Sequence, residues 1–159
     1  MDSGNENNAQ NYFSYVNRNG LFGIMPAGSL RREEYAKYVI FMKSTVEVLK
    51  EFGIHTNNNG YSFMIDAVSI IMDMNTFDIK LNNDVYPLIA FKHDRRGCES
   101  MISHDIRNAI GAAYSDNMRE PGTNRMDMFA KRPGNKKFLF AVTEAVCKRI
   151  IEAMSESYR

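Results

Sequence analysis

The stretch "SMISHDIRNAIGAAY", residues 100–114, has the clearest helical pattern in the chain. With 3.6 residues per turn, its aliphatic side chains fall on one side of the helix. The other side carries Ser100, Ser103, His104, Arg107 and Gly111, which stand at i, i+3, i+4, i+7 and i+11. This side carries hydrogen-bonding and cationic side chains and few acidic ones. The functional question is therefore which partner this polar face contacts.

The composition is that of one globular domain. The chain has 159 residues, 44% of them hydrophobic and 25% charged, which is enough for a real core. No run of about 18 uncharged apolar residues is present, so no membrane span is predicted. The polar, acidic start "MDSGNENNAQ" is unlike a secretory signal. Cys98 and Cys147 have no metal-ligand spacing, so we expect a cytoplasmic protein without disulfide, metal or cofactor.

Charge is distributed unevenly along the chain. Residues 92–137 contain ten Lys or Arg and six Asp or Glu, a net +4, whereas the remainder contains ten and thirteen, a net −3. A polyanion is therefore drawn to the C-terminal half. The alternative interpretation is an ordinary solvated surface with uneven charge.

The periodicity predicts an all-α fold, since no stretch alternates with period two for long. Residues 1–28, with six Asn before position 20, are predicted to be a flexible N-terminal arm. Residues 29–159 are predicted to be a compact multi-helix domain, with Ser29 as the first helix cap. The expected helices are 30–52, with apolar residues at 35, 38, 39, 42, 46 and 49, then 61–74, 81–93, 100–114, 125–131 and 136–154.

The third and fourth of these helices suggest a helix-turn-helix. Pro87 fits the first turn of the shorter one, and "DRRG" (94–97) forms a compact turn. The small residues Ala109, Gly111 and Ala113 allow the next helix to cross a neighbour closely. On pattern alone this is weak evidence for DNA binding, because many helical domains contain such pairs.

Four segments add a family resemblance. "GIHTNNNGY" (53–61), "VYPLIA" (85–90), "IRNAIGAAY" (106–114) and "KRPGNKKF" (131–138) occur in this order. Together they resemble the C-terminal, DNA-binding effector domain of the stage-zero sporulation response regulator family of endospore-forming Firmicutes. The resemblance covers roughly residues 45–152.

The resemblance implies a six-helix domain whose helix-turn-helix lies in the major groove of double-stranded DNA. It also implies tandem pairs on adjacent half-sites that contact each other partly through the last helix, hence a homodimer on DNA. The residues implied to read bases are Ser103, His104, Arg107 and Asn108, with Ser100 at the helix start, and those implied to contact phosphates are Lys131, Arg132 and Lys136.

The chain departs from the family pattern in three places. Ser103 and His104 stand where the family usually has Glu-Arg, which weakens or changes base preference there. The connection around the turn, "FKHDRRGCES" (91–100), is about two residues longer, and its Lys92, Arg95 and Arg96 are expected to add phosphate contacts. No receiver domain is expected before the effector, so control by aspartyl phosphorylation is not expected. Either another partner or ligand regulates the domain, for example through the arm, or the domain is unregulated.

The prediction is a sequence-specific DNA-binding transcription regulator and not an enzyme. The carboxylate pairs Asp66/Asp73 and Glu99/Asp105 have no nucleophile or base beside them in the pattern, and His55 and His93 lack zinc spacing. The alternative is an interaction module that kept the fold, lost base reading, and dimerises with a full-length regulator to modulate it. The Ser103-His104 change and the near-neutral charge favour that alternative, whereas Arg107 and the basic turn disfavour it.

Overall fold

The computed structural model describes residues 32–157 except 75 and 77, and within this part of the chain all regular structure is helical. This confirms the predicted all-α class. The predicted arm (1–28) and the cap Ser29 lie outside the described residues. The described residues form five α-helices: α1 (Arg32–Glu51), α2 (Tyr61–Met74), α3 (Tyr86–Lys92), α4 (Glu99–Arg119) and α5 (Asn135–Ser157).

Two short helical turns join these helices. A π-helical turn, Leu81–Val85, runs directly into α3, and Pro87 stands in the first turn of α3 as predicted. A 3-10 turn, Arg125–Met128, lies between α4 and α5 where a longer helix was expected. The start of this 3-10 turn is capped by a side chain, because the Asn124 amide oxygen accepts the backbone N–H of Met126 at 2.9 Å.

Helix α4 is longer than its sequence pattern predicts. The predicted helix ends at residue 114, but the observed helix continues to Arg119. Its last turns are held from outside, because Asn117 is buried and its amide oxygen accepts the backbone N–H of Asn124 at 3.3 Å. The Asn124 amide in turn donates to the Ala113 carbonyl at 2.9 Å. These contacts depend on the fold, so the helical period did not reveal them.

The apolar face of α4 packs as predicted into a common core with the other helices. Ile102, Ile106 and Ile110 are fully buried. The centre of the core is aromatic, with the rings of Phe52 and Phe138 meeting edge-on at 5.4 Å between centroids. Packing the aliphatic side of α4 inward leaves its polar side at the surface.

The buried face of helix α1 matches its predicted apolar positions in part. Tyr35, Val39 and Val46 are 57%, 43% and 38% exposed. Of the predicted positions, Leu49 is fully buried and Met42 packs partly buried against the core. The rest of the buried face consists of Phe41, Ser44, Thr45 and Val48. Thr45 is tolerated in the core because its hydroxyl donates to the Phe41 carbonyl at 2.8 Å, so this buried hydroxyl is satisfied.

Helices α3 and α4 form the expected helix-turn-helix. The turn between them contains Gly97 with φ of 83°, a backbone conformation that suits glycine. The end of α3 is tied to α2 through Asp66, which is 4% exposed. One Asp66 oxygen lies 2.6 Å from the Lys92 ammonium and the other lies 2.7 Å from His93 Nε2. This cluster holds the first helix of the motif against the domain.

Candidate nucleic-acid interface

The first turns of α4 present a polar, cationic surface. Ser100, His104, Arg107 and Asn108 are exposed, and all four belong to the predicted base-reading set. The Asn108 amide nitrogen lies 3.1 Å from His104 Nε2, one turn away. When the amide donates, the imidazole accepts through Nε2, so the two side chains orient each other before any partner binds.

Ser103, the fifth predicted reader, is less available than the other four. It is half-buried, and the Asn135 side-chain amide donates to its carbonyl at 2.9 Å. The same amide lies 3.0 Å from the hydroxyl oxygen of the buried Tyr86. Asn135 therefore ties the start of α5 to both helices of the helix-turn-helix. The sequence indicated Asn135 only as part of a motif, and its orienting contacts were missed.

A segment that we call the strap, residues 131–136, runs from the 3-10 turn to α5 along the exposed flank of α4. It is anchored by the buried Pro133 and by an Arg132 guanidinium nitrogen, which donates to the Arg107 carbonyl at 2.9 Å. Lys131 and Lys136 are exposed on either side of this anchor. The fold thus places Arg132 against the polar side of α4, and Lys136 lines the same cleft as Arg107.

The turn before α4 adds two exposed cations. The Arg96 guanidinium stacks over the Phe91 ring at 4.8 Å, and an Arg95 nitrogen lies 3.9 Å from the Met101 sulfur. Neither residue forms a salt bridge with a described acid. Lys92 differs, because its ammonium is paired with Asp66. This pairing already neutralises the Lys92 charge, which disfavours the predicted phosphate contact of Lys92.

A cleft of about 550 Å³ lies between α4, the strap and the π-helical turn. Three cations line it, Lys80, Arg107 and Lys136, and none of its lining residues is acidic. Such a lining suits an anion. Lys80 was missed because it stands far from the other cations in the chain and in no recognisable motif. Only the packing of the π-helical turn beside α4 brings it here.

Comparison with known proteins decides the class. The family described as "Sporulation initiation factor Spo0A C terminal" matches residues 45–146, about two thirds of the chain. The chain belongs to this family. No curated protein and no solved structure matches the chain.

The Spo0A C-terminal family match covers the whole candidate interface. The helix-turn-helix, the strap and the cleft all lie within residues 45–146, whereas the first part of α1 and the end of α5 lie outside. Membership makes this a DNA-binding, transcription-regulating domain of the sporulation type and confirms the resemblance seen in the sequence. The chemistry of the α4 face agrees with that role.

The part of the chain that the structure describes has no candidate metal site and no membrane-spanning helix, and two of its side chains have raised pKa values. It contains no group of three His, Cys, Asp or Glu side chains placed to hold a metal ion. Among the described helices, none combines the length and the apolar character needed to cross a bilayer. Burial raises the pKa of the Cys147 thiol, and the Glu144 carboxylate raises it further, which disfavours the reactive thiolate. Burial also raises the pKa of the Tyr61 hydroxyl.

Proposed function

We propose that the chain is a sequence-specific transcription regulator that inserts the first turns of α4 into the major groove of double-stranded DNA. The observation that carries the proposal is the exposed polar face of α4, bordered by cations from the preceding turn and from the strap. A helix reads base edges with such a face, while surrounding cations bind phosphates and supply most of the affinity.

The proposed base contacts centre on Arg107 and Asn108. An Arg guanidinium pairs with the two acceptors of guanine, and an Asn amide pairs with adenine. His104 and Ser100 each make a single hydrogen bond. The Ser103 hydroxyl, which lies 3.4 Å from the Asn135 amide nitrogen, donates its own hydrogen to a base acceptor. The proposed phosphate contacts are Arg95, Arg96, Lys131, Arg132 and Lys136, with Lys80 added and Lys92 removed on structural grounds.

A selection experiment tests this proposal. The protein is titrated against a pool of randomised duplexes at two salt concentrations, and bound duplexes are sequenced after repeated rounds. We expect one motif to be enriched, and the logarithm of the association constant to fall linearly with the logarithm of salt concentration. Binding that depends on salt but enriches no motif contradicts sequence-specific reading.

The second candidate is an interaction module that modulates a full-length regulator without reading DNA. It is favoured because three of the five predicted readers already have partners within the chain. The Asn135 amide contacts Ser103, and His104 and Asn108 are paired with each other. This candidate predicts that the protein enriches no motif alone, yet changes the DNA affinity of a full-length family member mixed with it. The same titration, with and without that second protein, separates the two functions.

We also propose that two copies pair on DNA through α5. Near the end of this helix, Ile151 is 64% exposed and Met154 is 39% exposed. Between α2, the 3-10 turn and α5 lies an apolar groove of about 830 Å³, lined by Met72, Met128 and Phe140 among others. An Ile151→Asp substitution is expected to abolish a two-protein complex on a duplex with two half-sites, while one protein still binds a single half-site.

We propose in addition that a regulatory protein partner acts through residues 1–28.

A further inference from the structure

Gly111 lies where the Arg132 side chain of the strap packs against α4. It stands on the polar side of α4, one turn after Arg107. A Cβ atom placed at residue 111 meets the Arg132 guanidinium, at 2.6 Å and 3.0 Å from its two terminal nitrogens and 2.8 Å from its central carbon. The guanidinium therefore occupies the space that any other residue at position 111 fills with its side chain.

A hydrogen bond holds the guanidinium in this notch. One terminal nitrogen of Arg132 donates to the Arg107 carbonyl at 2.9 Å. In a helix, that carbonyl also accepts the backbone N–H of residue 111, so the guanidinium is joined to the turn that carries Arg107. Arg132 remains exposed nonetheless. Its side chain is held on one side and faces solvent on the other.

We propose that Gly111 positions Arg132 to bind a DNA phosphate, so that a residue without a side chain determines affinity for DNA. This inference rests on the proposed function and deepens it. A guanidinium offers five N–H donors in a planar fork, and the bond to Arg107 uses one of them. The remaining edge suits a phosphate bound through two hydrogen bonds. Because the notch already orders this long side chain, binding costs less conformational entropy.

Substitution of Gly111 by Ala tests the inference, because stability and binding are expected to change in opposite directions. Alanine is the better helix former, so thermal stability is expected to stay level or rise. The added Cβ displaces the Arg132 head. On a random-sequence duplex of about 20 base pairs, affinity is expected to fall about tenfold and the salt slope to lose about one unit.

The matched control is Ser115→Ala, an exposed position one turn further along α4. It also raises helix propensity but introduces no atom near Arg132, so affinity and salt slope are expected to stay at wild-type values. A Gly111→Ala protein that binds like the wild type overturns the inference. A Gly111→Ala protein that loses stability together with binding also overturns it, since the effect is then structural.

Arg132 variants close the test as a double-mutant cycle. We expect Arg132→Ala to reproduce the Gly111→Ala loss, and Gly111→Ala to have no further effect when Arg132 is already Ala. Arg132→Lys is expected to keep the salt slope but not the full affinity, since an ammonium retains the charge without the planar fork. Equal losses from Gly111→Ala in both backgrounds contradict the positioning role.

The outcomes separate this inference from the function on which it rests. A wild-type protein that binds duplexes with salt dependence, combined with a silent Gly111→Ala change, overturns only the role of Gly111. A wild-type protein that binds no duplex overturns both. Absence of an enriched motif alone leaves the phosphate contact testable on random-sequence DNA.

Discussion

The cations between α1 and α5 differ from those around α4 in what they contact. Arg149 bridges Glu47, at 3.0 Å, and Glu51, and Arg125 lies 3.2 Å from Glu51 while stacking over Phe52. By contrast, Arg107, Lys131 and Lys136 form no salt bridge within the described residues. A net charge of +1 therefore conceals two populations, one that joins helices and one that stays available to a polyanion.

Lys92 shows that the position of a cation in the sequence does not decide whether it joins helices or stays available to a polyanion. It stands in the basic segment next to Arg95 and Arg96, yet its ammonium is 2.6 Å from a carboxylate oxygen of Asp66. Its side chain is 18% exposed, and that of Asp66 only 5%. A cation that satisfies a buried carboxylate belongs to the fold, and the comparison predicts different phenotypes for the two groups.

The largest effect is expected from Asp66→Ala. Removing a buried carboxylate leaves Lys92 and His93 without their shared partner, so the free energy of unfolding should fall by about 3 kcal/mol. Urea denaturation measures this loss. The control Glu144→Ala removes an exposed carboxylate 3.4 Å from Lys148 and should cost no more than about 0.5 kcal/mol. Similar losses in the two variants contradict a structural role for the Asp66 cluster.

The next effect concerns specificity. Arg107→Ala should cost about 1–3 kcal/mol of binding free energy on the selected motif and relax preference at one base pair. Unfolding should change little, because the guanidinium has no acid partner among the described residues. Competition titrations with single-base variants of the motif measure the preference. If the variant weakens every site equally, Arg107 contacts phosphate and not a base.

A smaller effect is expected in the other population. Arg149→Ala removes the bridge to Glu47 and Glu51, which are both partly exposed, so stability should fall by about 1 kcal/mol. The affinity for a single half-site and its salt slope should remain at wild-type values. A reduced salt slope would place Arg149 at the DNA and remove the distinction between the two surfaces.

The smallest effect separates two lysines that the sequence treats alike. Lys131→Ala should weaken binding to all duplexes uniformly and lower the salt slope by about one unit. Lys92→Ala should leave that slope unchanged, since its charge is already neutralised by Asp66. Anisotropy titrations over a salt series measure both slopes. Equal slopes for the two variants would return Lys92 to the DNA-binding surface.

Elements encoded by local spacing could be predicted from the sequence. Helix α2 begins and ends where its apolar period indicates, at Tyr61 and Met74, and α4 buries the predicted isoleucines. The polar residues of α4 followed from the same period, because burial of one side of a helix dictates exposure of the other. The family followed from four short motifs in a fixed order.

Contacts between residues far apart in the chain were decided only by the tertiary structure. The Lys92 carboxylate partner lies 26 residues away, and the Arg132 contact with the Arg107 carbonyl spans 25 residues. A helical period reports neighbours three or four positions apart and carries no information on which side chain from another element reaches them. By itself, the sequence therefore determined where most of the helices lie, the buried face of α4 and the family. Packing alone decided which cations stabilise the domain, because ion pairs depend on distances of a few ångströms that only the assembled helices set.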